Sequence, residues 1–203
     1  QAIQDAINNS NGRVHFQNKD YLCNGELTVP DDFVFSGNSR GGTHIIYTGN
    51  TTFITQTGGD VLGFENIGIH GDDSTSAGIY VPGSVAYRTH NNSYSLNAEF
   101  LWWDTVSVWT AGFYHRHYNT LFRNSKVIFD NYDQNNFLLY GCSISTVEVG
   151  IRISRGEGPL CIFGGSIERF ARHAIRSVNS RSLCLNVNGV FIEQAPNVAC
   201  PTG

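Results

Sequence analysis

Charge is scarce in this chain. Only 15% of its 203 residues are Asp, Glu, Lys or Arg, against roughly 25% in ordinary soluble domains. The net charge of −4 offers no basic field to nucleic acid or to an anionic membrane surface, so neither is an expected partner. No apolar run approaches the roughly 18 residues of a membrane-spanning helix. Methionine is missing altogether and no signal peptide is visible. A chain that opens on Gln1 in this way is expected to be a piece of a longer polypeptide. The cysteines, Cys23, Cys142, Cys161, Cys184 and Cys200, include no CxxC pair. Zinc favours clustered thiolates, and a disulfide framework favours an even count. The expectation is buried free thiols, no metal and no organic cofactor. Walker, dinucleotide and Ser-His-Asp signatures are absent too.

Neutral polarity takes the place of charge, with 22 glycines and 20 asparagines. Residues 1–9 place Ala2, Ile3, Ala6 and Ile7 at helical spacing, and Asn9-Ser10-Asn11-Gly12 ends that helix. Beyond Gly12, short apolar runs alternate with Gly, Asn, Asp and Ser turns, as in Val14-His15-Phe16, Phe33-Val34-Phe35 and Lys126-Val127-Ile128-Phe129. Their length and β-branched content predict strands. Tyr140-Gly141-Cys142-Ser143-Ile144 returns 23 residues later as Phe163-Gly164-Gly165-Ser166-Ile167, and more loosely at Val187–Ile192. A period of this size with several strands per repeat marks a solenoid whose coils must stack to bury their inward rows. The fold class expected is all-β, a single-stranded parallel β-helix over 1–203, with residues 1–9 as a capping helix. Ile144, Ile151, Ile167, Ile175, Leu185 and Ile192 are its expected core. Residues 82–99, with Pro82-Gly83-Ser84 and Asn91-Asn92-Ser93, break the rhythm and are expected to form an inserted, protruding loop.

The first 43 residues resemble the start of the pectate-lyase-like phage tailspike and capsule depolymerase family. The resemblance is carried by Ala2-Ile3-Gln4-Asp5-Ala6-Ile7, Gly12, Val14-His15-Phe16, Tyr21, Leu27-Thr28-Val29-Pro30, Gly37 and Arg40-Gly41-Gly42-Thr43. It implies a right-handed parallel β-helix from a homotrimeric virion tail spike, acting extracellularly on a bacterial surface polysaccharide, either capsule or lipopolysaccharide. The family includes hydrolases and lyases, so fold alone does not fix the reaction. Glycoside hydrolysis is the expected chemistry. A polysaccharide lyase and a non-catalytic glycan-binding or structural module are the alternatives.

Candidate site residues fall in three groups. In Trp103-Asp104-Thr105-Val106-Ser107-Val108-Trp109, inward valines would leave Trp103 and Trp109 outside. Sugar faces stack well on such rings, which could equally be covered by the 82–99 loop or a neighbouring subunit. Tyr114-His115-Arg116-His117 offers Arg116 for an acidic sugar or phosphate, with His115 and His117 as flanking donors. The third group is carboxylates. Glu168 and Glu193 each follow an inward Ile and could stack at the acid-pair spacing of a glycosidase, or simply bond turn amides. Asp130 and Asp133 resemble the acid cluster of some tailspike endoglycosidases, with Glu99 as a third member, although Asp is also an ordinary turn residue. The apolar rings expected outside, Trp103, Trp109, Tyr140 and Phe163, supply the expected trimer contact.

Overall fold

The computed structural model describes residues 2–56, 61–71, 81–89, 92–109, 114–131, 136–153, 158–178 and 184–195. Every strand pair in it is parallel and joins segments one coil apart, which is the architecture of a β-solenoid. One side is an 8-stranded sheet built from Arg13–Phe16, Phe33–Gly37, Val61–Glu65, Asn92–Leu96, Tyr114–Tyr118, Phe137–Tyr140, Pro159–Phe163 and Cys184–Asn188. We call it the front sheet. The other strands form a 12-stranded sheet that covers the two remaining sides.

Two columns of left-handed residues make the corners. Asn66, Asn97 and Asn119 have φ of 52°, 49° and 48°, and Gly141, Gly164 and Gly189 continue the column at 62°, 62° and 64°. Asn tolerates this region better than other side chains, and Gly adopts it freely. The asparagines also bond along the stack, Asn119 Nδ2 donating to Asn97 Oδ1 at 2.7 Å and Asn97 Nδ2 to Asn66 Oδ1 at 3.3 Å. The second column is Trp102, Asn124, Thr146 and Arg169, at φ of 61°, 52°, 56° and 55°. There the long strands Leu121–Asn131, Ser143–Ile153 and Ser166–Ser177 turn from one flank to the next.

Inward rows fill the solenoid. Phe16, Phe35 and Phe64 stack at centroid distances of 6.3 and 5.7 Å, and Phe100 and Phe122 at 5.4 Å. A fully buried Phe contributes about 1.5–3 kcal/mol relative to an exposed one, so these columns carry much of the stability. The N-terminal helix, Ala2–Asn8, packs against the first coil through buried Ile7. Gln4 fixes it there, its Oε1 accepting from the Thr28 backbone N–H at 3.0 Å and its Nε2 donating to the Thr28 carbonyl at 2.9 Å. It covers a sheet end that would otherwise offer unpaired backbone.

Three expectations need correction. Within 82–99 the described residues are mostly strand rather than a protruding loop: Val81–Thr89 pairs with Thr52–Gln56 and Trp103–Trp109, and Asn92–Leu96 pairs with Val61–Glu65 and Tyr114–Tyr118. Its polar look is deceptive because Ser93 and Ser95 point inward and bond histidines of the next coil. Of the expected core, Ile144, Ile151 and Ile167 are buried and Ile175 is half-buried, but Leu185 and Ile192 are 49% and 48% exposed. Their register is the core register, Leu160↔Leu185 and Ile167↔Ile192. They lie on the last described coil, with a described neighbour on one side only. The thiols also differ: Cys23 and Cys142 are buried and free, Cys161 is half-buried and Cys184 is exposed. Cys200 lies outside the described residues.

Candidate functional site

The front sheet carries its chemistry on the outer rows. In-register pairing aligns Gly63, Tyr94, Arg116, Leu138 and Cys161 in one row, and Glu65, Leu96, Tyr118, Tyr140 and Phe163 in the next. Neighbouring strands are about 4.8 Å apart, so each row presents one side chain per coil. Tyr114 precedes Arg116 on the same face, and the guanidinium carbon sits 5.7 Å from the centre of its ring. Tyr118 and Tyr140 have centroids 6.4 Å apart, and Tyr140 is 59% exposed.

Two grooves flank the Tyr114–Arg116 ridge. One, of about 330 Å³, is lined by Val61, Asn92, Ser93, Tyr94 and Tyr118 together with Tyr114 and Arg116. The other, of about 230 Å³, is lined by the same two residues with His115, Asn136, Phe137, Leu138, Pro159, Cys161 and Phe163. Most of this lining is aromatic or apolar, with a few hydrogen-bonding groups, as small-ligand sites commonly are.

Electrostatics on this face is sparse. The strands of the front sheet hold three charged side chains apart from histidine: Arg13, Glu65 and Arg116. Arg13 forks onto Glu65 at 2.8 and 3.2 Å, and Tyr94 Oη donates to the same carboxylate at 2.5 Å. Burial alone would raise the Glu65 pKa, but the Arg13 and Tyr94 hydrogen bonds outweigh it and hold the group below its ordinary value. Tyr94 moves up, through burial first and then through its carboxylate partner. Arg116 has no carboxylate partner among the described residues.

The sequence-predicted residues scatter. Tyr114 and Arg116 lie at the centre of this face. His115 and His117 do not flank Arg116 as surface donors: both are fully buried. Strand alternation sends them into the core, where His115 Nδ1 meets Ser93 Oγ and His117 Nδ1 meets Ser95 Oγ, each at 2.7 Å. Burial pushes His117 down to about 3, and burial together with His117 holds His115 well below the ordinary histidine value. Both are therefore neutral core residues.

Trp103 is likewise a core residue, 0% exposed. It follows the left-handed corner at Trp102 on the strand's inward row with Thr105 and Ser107, of which Ser107 pairs with buried Tyr87 and Phe129. There it stacks on Tyr47 and Phe53 at 5.9 and 6.0 Å and donates Nε1–H to the Ile69 carbonyl at 3.1 Å. Thr105 and Ser107, on the same alternate row as Trp103, are also buried. The Trp109 side chain and Asp133 lie outside the described residues.

Among the described residues the candidate carboxylates do not converge on one centre. Glu168 and Glu193 are register partners on adjacent strands, in one outer row with Arg123 and Ser145. Glu99 stands in a different row, between Gly68 and Leu121. Asp130 is on the other flank, bonded by two nitrogens of Arg152, with Nε at 2.8 Å. Among the described residues no group of three or more His, Cys, Asp or Glu could hold a metal ion.

Tyr94 and Tyr118 were missed in the sequence, although a signal for them exists. Tyr118, Tyr140 and Phe163 recur at 22 and 23 residues, the coil period, as do Tyr94, Arg116 and Leu138 at 22. A second unanticipated cluster lies on a flank. His44 Nδ1 meets Asp20 Oδ1 at 2.7 Å, its ring stacks on His70 at 4.6 Å, and Trp102 sits edge-on to His70 at 5.4 Å. Burial first, then His44, pushes His70 down to about 4.

Fold and surface together define a parallel β-solenoid with an aromatic outer face. Compared with known families, curated proteins and solved structures, the chain matches no family model, no curated protein and no solved structure.

Proposed function

We propose that the protein is a polysaccharide-binding β-solenoid of the pectate-lyase-like tailspike type, recognising a bacterial surface glycan along its front sheet. The observation that carries this is the aromatic outer face: Tyr94, Tyr114, Tyr118, Tyr140 and Phe163 on successive coils around two grooves. Pyranose rings have flat apolar faces that pack on such side chains, while the phenol hydroxyls and Asn92 and Asn136 meet sugar hydroxyls. A rigid sheet holds the rings at fixed spacing, so a repeating polymer loses little entropy in matching it. Such a module fits a virion tail spike working outside the cell, three chains side by side. Light scattering at the trimer mass supports that arrangement, and the monomer mass at high concentration counts against it.

Calorimetry with a panel of bacterial capsule and lipopolysaccharide fragments tests the binding. Tyr114→Ala and Tyr118→Ala should each weaken it by about 1–3 kcal/mol, the scale of an aromatic anchor, without moving the melting temperature. Binding unchanged in both variants removes the front sheet from consideration.

Cleavage is a second reading, favoured by the register pairing of Glu168 with Glu193. Adjacent-strand spacing of about 4.8 Å is close to the roughly 5–5.5 Å between the two carboxyls of retaining glycosidases. Shortened chains after incubation with the bound polymer, lost in Glu168→Gln, support hydrolysis. An unshortened polymer leaves a binding module.

A further inference from the structure

We propose that the glycan taken by the front sheet is acidic, with Arg116 receiving the carboxylate of a uronic-acid-type sugar unit seated at the ridge between the two grooves. This rests on the assignment of that face to polysaccharide. Of the three charged side chains on the front-sheet strands, Arg13 and Glu65 neutralise each other, and Tyr94 completes the Glu65 carboxylate. Arg116 is left with the Tyr114 ring at 5.7 Å as its partner. A guanidinium held by a ring face keeps its N–H edges available, and its planar fork matches the two oxygens of a carboxylate.

Position strengthens the case. Both grooves share Tyr114 and Arg116, so a chain running along the stack from one groove to the other passes over this guanidinium. Tyr114 on its own strand and Leu138 in the next coil flank it, and Arg116 is exposed, so its N–H edges can be reached by a ligand. A single fork favours a carboxylate over a phosphodiester polymer, since phosphate sites commonly gather several donors or cations. The chain's formal net charge of −4 gives a polyanion no long-range attraction. Selection must therefore act at contact, with a shallow salt dependence, on the order of one ion pair.

The test compares each polymer of the fragment panel in its native form and after reduction of its carboxyl groups to primary alcohols. Affinities are measured for the wild-type chain and for Arg116→Gln, Arg116→Lys and Tyr114→Ala, with melting curves as the folding control. Wild-type protein should bind a carboxylate-bearing polymer best and lose about tenfold or more on its reduction, the range of a charge-assisted hydrogen-bond pair. Arg116→Gln should bind native and reduced forms alike, at the weakened level. Arg116→Lys should fall between, keeping charge without the fork, and it serves as the probe if the Gln variant does not fold. If native and reduced polymers bind the wild type equally while Tyr114→Ala loses binding, the acidic assignment is overturned and the polysaccharide surface stands. Binding confined to phosphate-bearing polymers also overturns the carboxylate. If nothing in the panel binds, or Tyr114→Ala and Tyr118→Ala both bind as the wild type does, the surface assignment and this inference fall together.

Discussion

The Tyr94 ring occupies the space that a side chain at Gly63 would enter: a Cβ built there stands 2.4 Å from Tyr94 Cε1 and 2.7 Å from its hydroxyl. The two residues are register partners on adjacent strands. Glycine is therefore what lets the Tyr94 ring lie flat on the sheet and reach Glu65. In the Gly63→Ala variant the ring must swing away and the Tyr94–Glu65 hydrogen bond is lost. The expected cost is about 1–2 kcal/mol, read as a lower urea midpoint, together with weaker glycan binding in the groove that Tyr94 lines. A variant as stable as wild type, with the Tyr94 ring unmoved in a crystal, would refute this.

Trp103 and Tyr114 should respond in opposite ways to truncation. Trp103 is fully enclosed between Tyr47 and Phe53, with its indole N–H bonded to Ile69. Trp103→Ala leaves a large cavity and should destabilise by about 3–5 kcal/mol. Tyr114 is half exposed on the front sheet, so Tyr114→Ala should change stability by less than about 0.5 kcal/mol while weakening binding. Chemical denaturation of both variants separates a core ring from a surface ring.

The solenoid itself was legible from residues. The recurrence of Tyr140–Ile144 as Phe163–Ile167 is a register pairing in three dimensions, and the Ala2–Ile7 periodicity is a real cap. Two features were hidden, each for a physical reason. Ser93 and Ser95 are polar yet inward, because His115 and His117 from the next coil satisfy them. Local alternation cannot reveal a partner 22 residues away, so the strand looked like a loop. Along Trp103–Trp109 the inward row is Trp103, Thr105 and Ser107 rather than the valines, since Ser107 pairs with buried Tyr87 and Phe129. Apolar character alone does not tell which alternate row faces the core. The candidate site was half visible. Tyr114 and Arg116 stood out as a local motif, whereas Tyr94, Tyr118 and Tyr140 become a surface only when coils stack.

Acid should weaken this fold well before its carboxylates are protonated. His70, His115 and His117 are buried with lowered pKa values, about 4 for His70 and about 3 for His117, each through burial first. Such a histidine is neutral in the fold and binds a proton on unfolding once pH drops below its ordinary value near 6.5. Its contribution is complete above that value and shrinks as pH falls from about 6.5 toward the folded-state value, by about 1 kcal/mol per histidine per pH unit. Urea midpoints at pH 7, 6 and 5 should fall progressively, and His117→Phe should flatten the slope. A midpoint constant over this range would show that these rings are already charged or still hydrated in the fold.

Ile144, Ile167 and Ile192 form one inward column on three successive coils, yet their exposures are 1%, 1% and 48%. Alternation within a strand decides which way a side chain points. Whether it is buried is decided by the coil stacked against it. Ile167 has described strands on both sides, whereas Ile192 has one on the Ile167 side alone. The same substitution should therefore give different costs along one column. Ile167→Ala should destabilise by about 2–5 kcal/mol, because its cavity is enclosed. Ile192→Ala should cost less than about 1 kcal/mol, because the removed methyl groups leave water rather than a void. Urea denaturation of the two single variants decides the matter. Equal, large costs would mean that the Ile192 coil is covered in solution, and the polar character of whatever covers it could then be probed by Ile192→Thr, which an apolar partner would reject and water would accept.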